Sequence, residues 1–180
     1  RISLCRTTQR NPNDRFGFNL FFDNAWNSLV EMDSYGHDVE AGWLLCEAAR
    51  VLEDRQLMDR ANRLALDVTD ACLVEGLSDK GYMMYEKKGG RTTGHASWWG
   101  QIETMIACVN AWQISGNDVY LQSADTVWTF VKDCMIDREY GEWYSDCFDG
   151  EPKKDTPKVS MWRCPYHTVR LGVEIHNRLK

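Results

Sequence analysis

The chain has 180 residues, a net charge of −6 and a 43% hydrophobic composition that includes 8 Trp, 7 Tyr and 6 Phe. That excludes a disordered polymer. With no stripe of Lys and Arg and no apolar run near the ~20 residues of a membrane span, it also argues against a nucleic-acid or membrane partner. The 7 cysteines form no CxxC, and four lie in apolar helical stretches, so a reducing cytoplasm is expected rather than a disulfide framework.

In chain order, residues 16–22 read as extended, with Phe16, Phe18, Leu20 and Phe22 alternating imperfectly. Residues 38–53 predict a helix that is apolar almost all round, through Val39, Ala41, Trp43, Leu44, Leu45, Ala48, Ala49, Val51 and Leu52. Such a helix is buried on most sides. Residues 57–77 carry a one-faced stripe of Leu57, Met58, Ala61, Leu64, Ala65, Val68 and Cys72, with Asp59, Arg60, Arg63 and Asp67 opposite. Residues 81–86 are strand-like. Residues 97–114, from Trp98 and Trp99 to Trp112, are again apolar all round, whereas 118–136 are one-faced. Gly76 and Gly116 suit the residue after a helix, and Asn117 suits an N-cap. An extended piece at 142–148 ends at the turn Asp149-Gly150, and the polar stretch 150–160 reads as a mobile surface loop. A last, mixed helix is expected over 166–179, with Pro165 at its first position.

Buried helices thus alternate with amphipathic ones, and the buried ones begin near residues 37, 98 and 166. A period of roughly 60 to 70 residues built from helix pairs predicts an all-α solenoid or ring of hairpins, inner helices alternating with outer. The long, aromatic-rich connections into the inner helices are of the kind that line sites.

Three clusters that could carry chemistry each lie at an inner-helix start. In Ser34-Tyr-Gly-His-Asp-Val-Glu40, His37 and Glu40 share a face. A carboxylate beside an imidazole favours its charged form and a helix N-terminus disfavours it, a balance suited to general acid–base work. In Trp98-Trp-Gly-Gln-Ile-Glu103, the paired Trp suit stacking on a sugar ring, while Gln101 and Glu103 suit hydroxyls. In Trp162-Arg-Cys-Pro-Tyr-His-Thr-Val-Arg170, His167 and Arg170 share the first turns of the last helix. A ring would bring all three clusters to one end, with His95 at the rim and His176 in a structural role. Three chemistries remain open on these residues: proton exchange between two His, glycoside hydrolysis by Glu40 and Glu103, or a metal held by His37, Glu40 and His167. No tight ligand motif such as HExxH supports the last.

The segments LFFDNAWN at 20–27, SYGHDVEAGWLL at 34–45, WWGQIE at 98–103, GEWY at 141–144 and WRCPYH at 162–167 resemble, in order, the N-acylglucosamine 2-epimerase superfamily, and most closely its cellobiose 2-epimerase branch. Thr168-Val169 departs from the Asn-Gly common after the final His. The resemblance implies an (α/α)6 barrel of which residues 1–180 form the C-terminal portion, with five helices and short β-hairpin loops. It implies His37 and His167 as the acid/base pair, with Glu40 orienting His37. Trp98 or Trp99, together with Trp162, would stack on sugar, and Glu103 and Arg170 would complete the pocket. The implied reaction is C2 epimerisation of the reducing-end glucose of a β-1,4-linked disaccharide through a cis-enediolate, with no cofactor and no metal. An N-acylglucosamine epimerase, a mannose isomerase, a hydrolase on the same barrel and an inactive sugar-binding fragment are the alternatives. As a fragment, the chain would lack family residues from an N-terminal half. It would then leave Trp43, Leu44, Val173 and Ile175 on open flanks that favour self-association.

Overall fold

The structure is a computed structural model that describes residues 17–180; Cys5 and Phe16 lie outside the described residues. Among the described residues, five α-helices form two layers. Helices α1 (Tyr35–Val51), α3 (Trp98–Ser115) and α5 (Tyr166–Arg178) lie side by side, with α3 in the middle. Helices α2 (Arg55–Gly76) and α4 (Val119–Phe130) back them as the second members of the hairpins α1–α2 and α3–α4. The core runs between the layers through Tyr35, Val39, Val68, Cys72, Ile102, Ile106, Val127, Val131 and Met135. No described helix is long and apolar enough to cross a membrane.

The local signals explain most boundaries. Helix α2 begins two residues before its apolar stripe because the Asp54 carboxylate caps it, accepting from the backbone of Gln56 and Leu57 at 2.9 and 3.1 Å. Helix α3 ends where Gly116 turns left-handed (φ 69°) and its N–H returns to the Trp112 carbonyl. The expected helix 118–136 is not uniform: its last turn, Val131–Met135, widens to a π-helix. Gly76 is no left-handed cap. It closes α2, and a Cβ there would come within 2.6 Å of Met83 Sδ and 2.7 Å of the Tyr35 ring; the glycine lets those side chains approach the backbone.

Helix α3 is buried from Gly100 to Ala111 without a break, as its all-round apolar pattern predicts. Helix α1 is not. Leu44, Leu45, Val51 and Leu52 are exposed, beside a 520 Å³ groove between α1 and α2 lined by Leu45, Ala48, Leu52 and Leu57. A second groove, of 630 Å³, separates α4 from α5. Trp43, expected on the open flank, is instead only 3% exposed.

Two small antiparallel sheets sit where the chain enters the side-by-side layer. Strands β1 (Met32–Ser34), β2 (Glu86–Lys88) and β3 (Arg91–Thr93) form one, with Ser34 opposite Glu86. Strands β4 (Ala96–Ser97), β5 (Asp146–Phe148) and β6 (Glu151–Pro152) form the other, with Ser97 opposite Asp146. Strand β1 runs straight into α1 and β4 straight into α3, so ladder register fixes both helix starts. The lead into α5 is tied to the same end by Arg163, whose buried guanidinium donates to the Trp143 carbonyl and lies 4.8 Å from the Trp98 ring. The segment 150–160 is anchored rather than loose: it contributes β6, and Lys158 pairs with Asp137 and donates to the Gly141 carbonyl.

The opposite end of the layer is joined by Arg178, the last residue of α5. Its guanidinium pairs with Glu47 of α1 and with Glu174, and it donates to Asn110 and Gln113 of α3 at 3.1 and 3.0 Å. The Gln113 amide returns a hydrogen bond to the Arg178 carbonyl.

Candidate active site

The three clusters meet at the sheet-bearing end, where α1, α3 and α5 begin. On α1, His37, Glu40 and Trp43 follow one another at three-residue steps and share a face. His37 is exposed, and its Nδ1 lies 2.7 Å from Ser34 Oγ. Its ring packs against Trp99, centroids 4.6 Å apart. Gly36 makes room for that ring, since a Cβ there would lie 2.6 Å from it.

Trp99 also faces His167 of α5, at 5.9 Å and 31°; one indole thus touches both imidazoles. Trp98 meets His167 edge-on at 6.1 Å, and Tyr166 packs against His167 from its own helix at 4.0 Å.

His167 is 4% exposed and its Nδ1 lies 2.6 Å from Glu103 Oε1. Glu103, on α3, is wholly buried, and its other oxygen accepts from Trp43 Nε1 at 2.9 Å. A buried carboxylate is tolerable only when paired, and Arg170 supplies the charge, 3.5 Å from Glu103 and 3.1 Å from Glu40. The guanidinium also lies 5.5 Å from the Trp43 ring and 5.7 Å from that of Tyr166. A carboxylate only accepts, so in this bond Nδ1 of His167 is the donor; the Arg170 guanidinium lies 3.3 Å from the same nitrogen. Burial pushes the Glu40 carboxyl above its ordinary value; the Glu103 charge adds to this, and Arg170 opposes it.

The sequence expectations meet this geometry unevenly. His37, His167, Glu40, Trp98, Trp99, Glu103 and Arg170 do come together. Glu40, however, pairs with Arg170, while the hydrogen bond at the His37 ring joins it to Ser34. Gln101 is turned away from the group: it is fully buried, accepts from Met83 N and donates to the carbonyls of Met83 and Ser97. Trp162 stands on the turn before α5, 80% exposed. His95 is clamped between Tyr85 and Phe148, at 4.6 and 5.0 Å, and burial lowers its pKa. His176 is exposed beside the α4–α5 groove. Glu40, Glu103 and His167 offer ligand atoms within 4.8 Å of one another, a spacing open to a metal; the Arg170 guanidinium already places a positive charge between the two carboxylates. Ser34 and Trp43 are the site residues that sequence reasoning missed. Each sits one helical step from His37 or Glu40, which is the signal that marks them.

Residues 2–170 match the profile of a family described as N-acylglucosamine 2-epimerase (GlcNAc 2-epimerase). The chain is 41% identical over 161 residues to the cellobiose 2-epimerase of Bacteroides fragilis, covering 87% of this chain and 40% of that enzyme. Against the Ruminococcus albus enzyme of the same name it is 36% identical, covering 92% and 43%. The crystal structure of a sugar epimerase from a ruminal bacterium superposes with a TM-score of 0.86 at 35% identity, covering 90% of this chain and 42% of the other. The chain therefore spans about two fifths of the length of the curated relatives it matches, and its five helices are an arc of the same (α/α)6 barrel.

Proposed function

Because the chain belongs to the N-acylglucosamine 2-epimerase family, we propose that it supplies the closing part of the active site of a carbohydrate 2-epimerase. Its substrate is the reducing-end glucose of a β-1,4-linked disaccharide such as cellobiose, the sugar in the names of its relatives. The observation that carries this reading is the pair of imidazoles set against one indole, each hydrogen-bonded at Nδ1.

The chemistry follows from that pairing. In the open-chain sugar, the C2 proton is acidified by the neighbouring aldehyde. One His, neutral, takes it at Nε2 as the C2–H bond breaks, and the electron pair passes into a cis-enediolate. After rotation about C1–C2, the other His, which enters as the imidazolium, delivers its Nε2 proton to the opposite face of C2, and exchange with water returns each ring to its starting protonation state. Two bases, with donors near the developing oxyanion, are what this step requires; a redox cofactor is not. Glu103 holds the His167 ring and balances the imidazolium formed there, Arg170 keeps the carboxylates compatible, and Trp98, Trp99 and Trp162 offer flat faces to the sugar.

A hydrolase reading fares worse. It needs two carboxylates free to flank a glycosidic bond, and both oxygens of Glu103 are already bound by protein groups. Incubating the full-length protein with cellobiose in D2O tests the proposal. The expected product is glucosyl-mannose carrying deuterium at C2, with no free glucose. Released glucose would replace the reading with hydrolysis, and a 2-keto product would replace it with aldose–ketose isomerisation.

A further inference from the structure

We propose that Ser34 is a positioning residue for the reaction: it holds the His37 ring as the Nδ1–H tautomer, so that Nε2 is the atom that exchanges protons. The inference rests on the epimerase reading of the site and adds to it a residue on which the His37 half of the exchange depends.

Three observations carry it. Ser34 stands at the N-cap of α1, where a serine ordinarily turns its oxygen to the backbone N–H of the first turn; here it makes no such cap. Its Oγ lies instead 2.7 Å from Nδ1 of His37. The residue is 3% exposed, and its backbone is locked opposite Glu86 in the β1–β2 ladder, so the oxygen is fixed by register rather than free to wander. The other side of the imidazole is fixed as well, by the Trp99 ring at 4.6 Å, which Gly36 admits. A half-turn flip of the ring would put Cδ2 where Nδ1 now lies and break the bond to Ser34.

The choice of partner has chemical content. A neutral imidazole takes a proton at Nε2 only if its other proton is on Nδ1, and the imidazolium that results still carries Nδ1–H. Ser34 therefore accepts from Nδ1–H before and after each transfer, without rearranging. Glu103 does the same for His167, but with a full negative charge. The two bases are thus held alike in tautomer and differently in charge, one by a hydroxyl and one by a carboxylate.

Ser34→Thr and Ser34→Val, which share a shape and differ in the hydroxyl, test this in the full-length protein. The readouts are 15N spectra of the labelled His37 ring and steady-state epimerisation of cellobiose, with thermal unfolding checking that both variants fold. The expected result is a protonated Nδ1 and an unprotonated Nε2 in the wild type and the Thr variant. In the Val variant the tautomer should shift towards Nε2–H. Its kcat should fall about tenfold or more while KM stays within about twofold. An unchanged nitrogen pattern in the Val variant would overturn the proposal, as would an altered pattern with undiminished kcat. A wild-type protein that turns over no sugar would sink the epimerase reading, and the nitrogen spectra would still decide the tautomer. Should the Val variant not fold, Ser34→Ala is read by the same two measurements.

Discussion

The two histidines occupy equivalent places, each in the first turn of a helix of the same layer, yet they are held in opposite ways. His37 stands in the open with a neutral hydroxyl behind it and a β-ladder behind that. His167 is sealed in, with a carboxylate behind it and behind that an indole and a guanidinium drawn from the two flanking helices. The contrast separates two kinds of dependence. The His167 side is part of what holds three helices together, so damage there reaches both chemistry and fold. The His37 side leans on the fold without supporting it.

The sharpest way to break that contrast is to remove each base in the full-length protein. His167→Ala and His37→Ala are both expected to lower turnover by about 10²–10⁴, the usual contribution of a positioned acid or base. Only the first should also weaken the fold, because it leaves a wholly buried carboxylate short of a partner. Glu103→Gln pushes further on the same side, breaking a buried charged network at a cost of about 3–5 kcal/mol, measured by denaturant unfolding. His37→Ala should stay within about 0.5 kcal/mol of wild type, as exposed substitutions do. A stability loss at His37 equal to that at Glu103 would erase the distinction.

A smaller effect is expected at the indole between them. Gly36→Ala puts a methyl group 2.6 Å from the Trp99 ring, so the ring must move. Overpacking of this kind costs about 1–3 kcal/mol, and turnover should drop with no change in the deuterium pattern of the product. Wild-type rates in this variant would show that Trp99 is not needed where it stands.

The smallest expected effect is on pH. Burial raises the Glu40 carboxyl above 4.5, so its folded form takes up a proton at a higher pH than its unfolded form. Its contribution to stability is then complete below the unfolded value and is lost as pH rises through the folded one. Glu40→Gln should flatten that part of the stability–pH curve on the alkaline side of the unfolded value, and urea unfolding at a series of pH values measures it. A curve that keeps its slope would assign the dependence to another group.

Much of this was legible in the sequence. The all-round apolar pattern of 97–114 marked the middle helix, and the placement of three polar-aromatic clusters at helix starts marked the shared end. What orients His37 was not legible. Ser34 and Glu40 lie three residues to either side of it, and periodicity alone puts both within reach. The choice is made by Arg170, 130 positions further along the chain, which draws Glu40 away. Gln101 misled for a related reason. Its neighbours in sequence advertise a sugar site, but the irregular backbone at Met83 consumes its amide. Trp43 reads in the sequence as one more apolar residue of its helix, left on an open flank; it is buried instead, its N–H then needs an acceptor, and only the fold reveals that the acceptor is the carboxylate of the site.

The bonds made by Arg178 bear on how firmly the site is framed. Helix α5 is fastened near its start, through His167 and Arg170, and again at its last residue, where Arg178 reaches both neighbouring helices. A beam clamped at both ends can flex at its middle but cannot swing. Helix α5 is therefore fixed in position and in direction against α1 and α3, and the groups at its start keep their place relative to those on the other two helices.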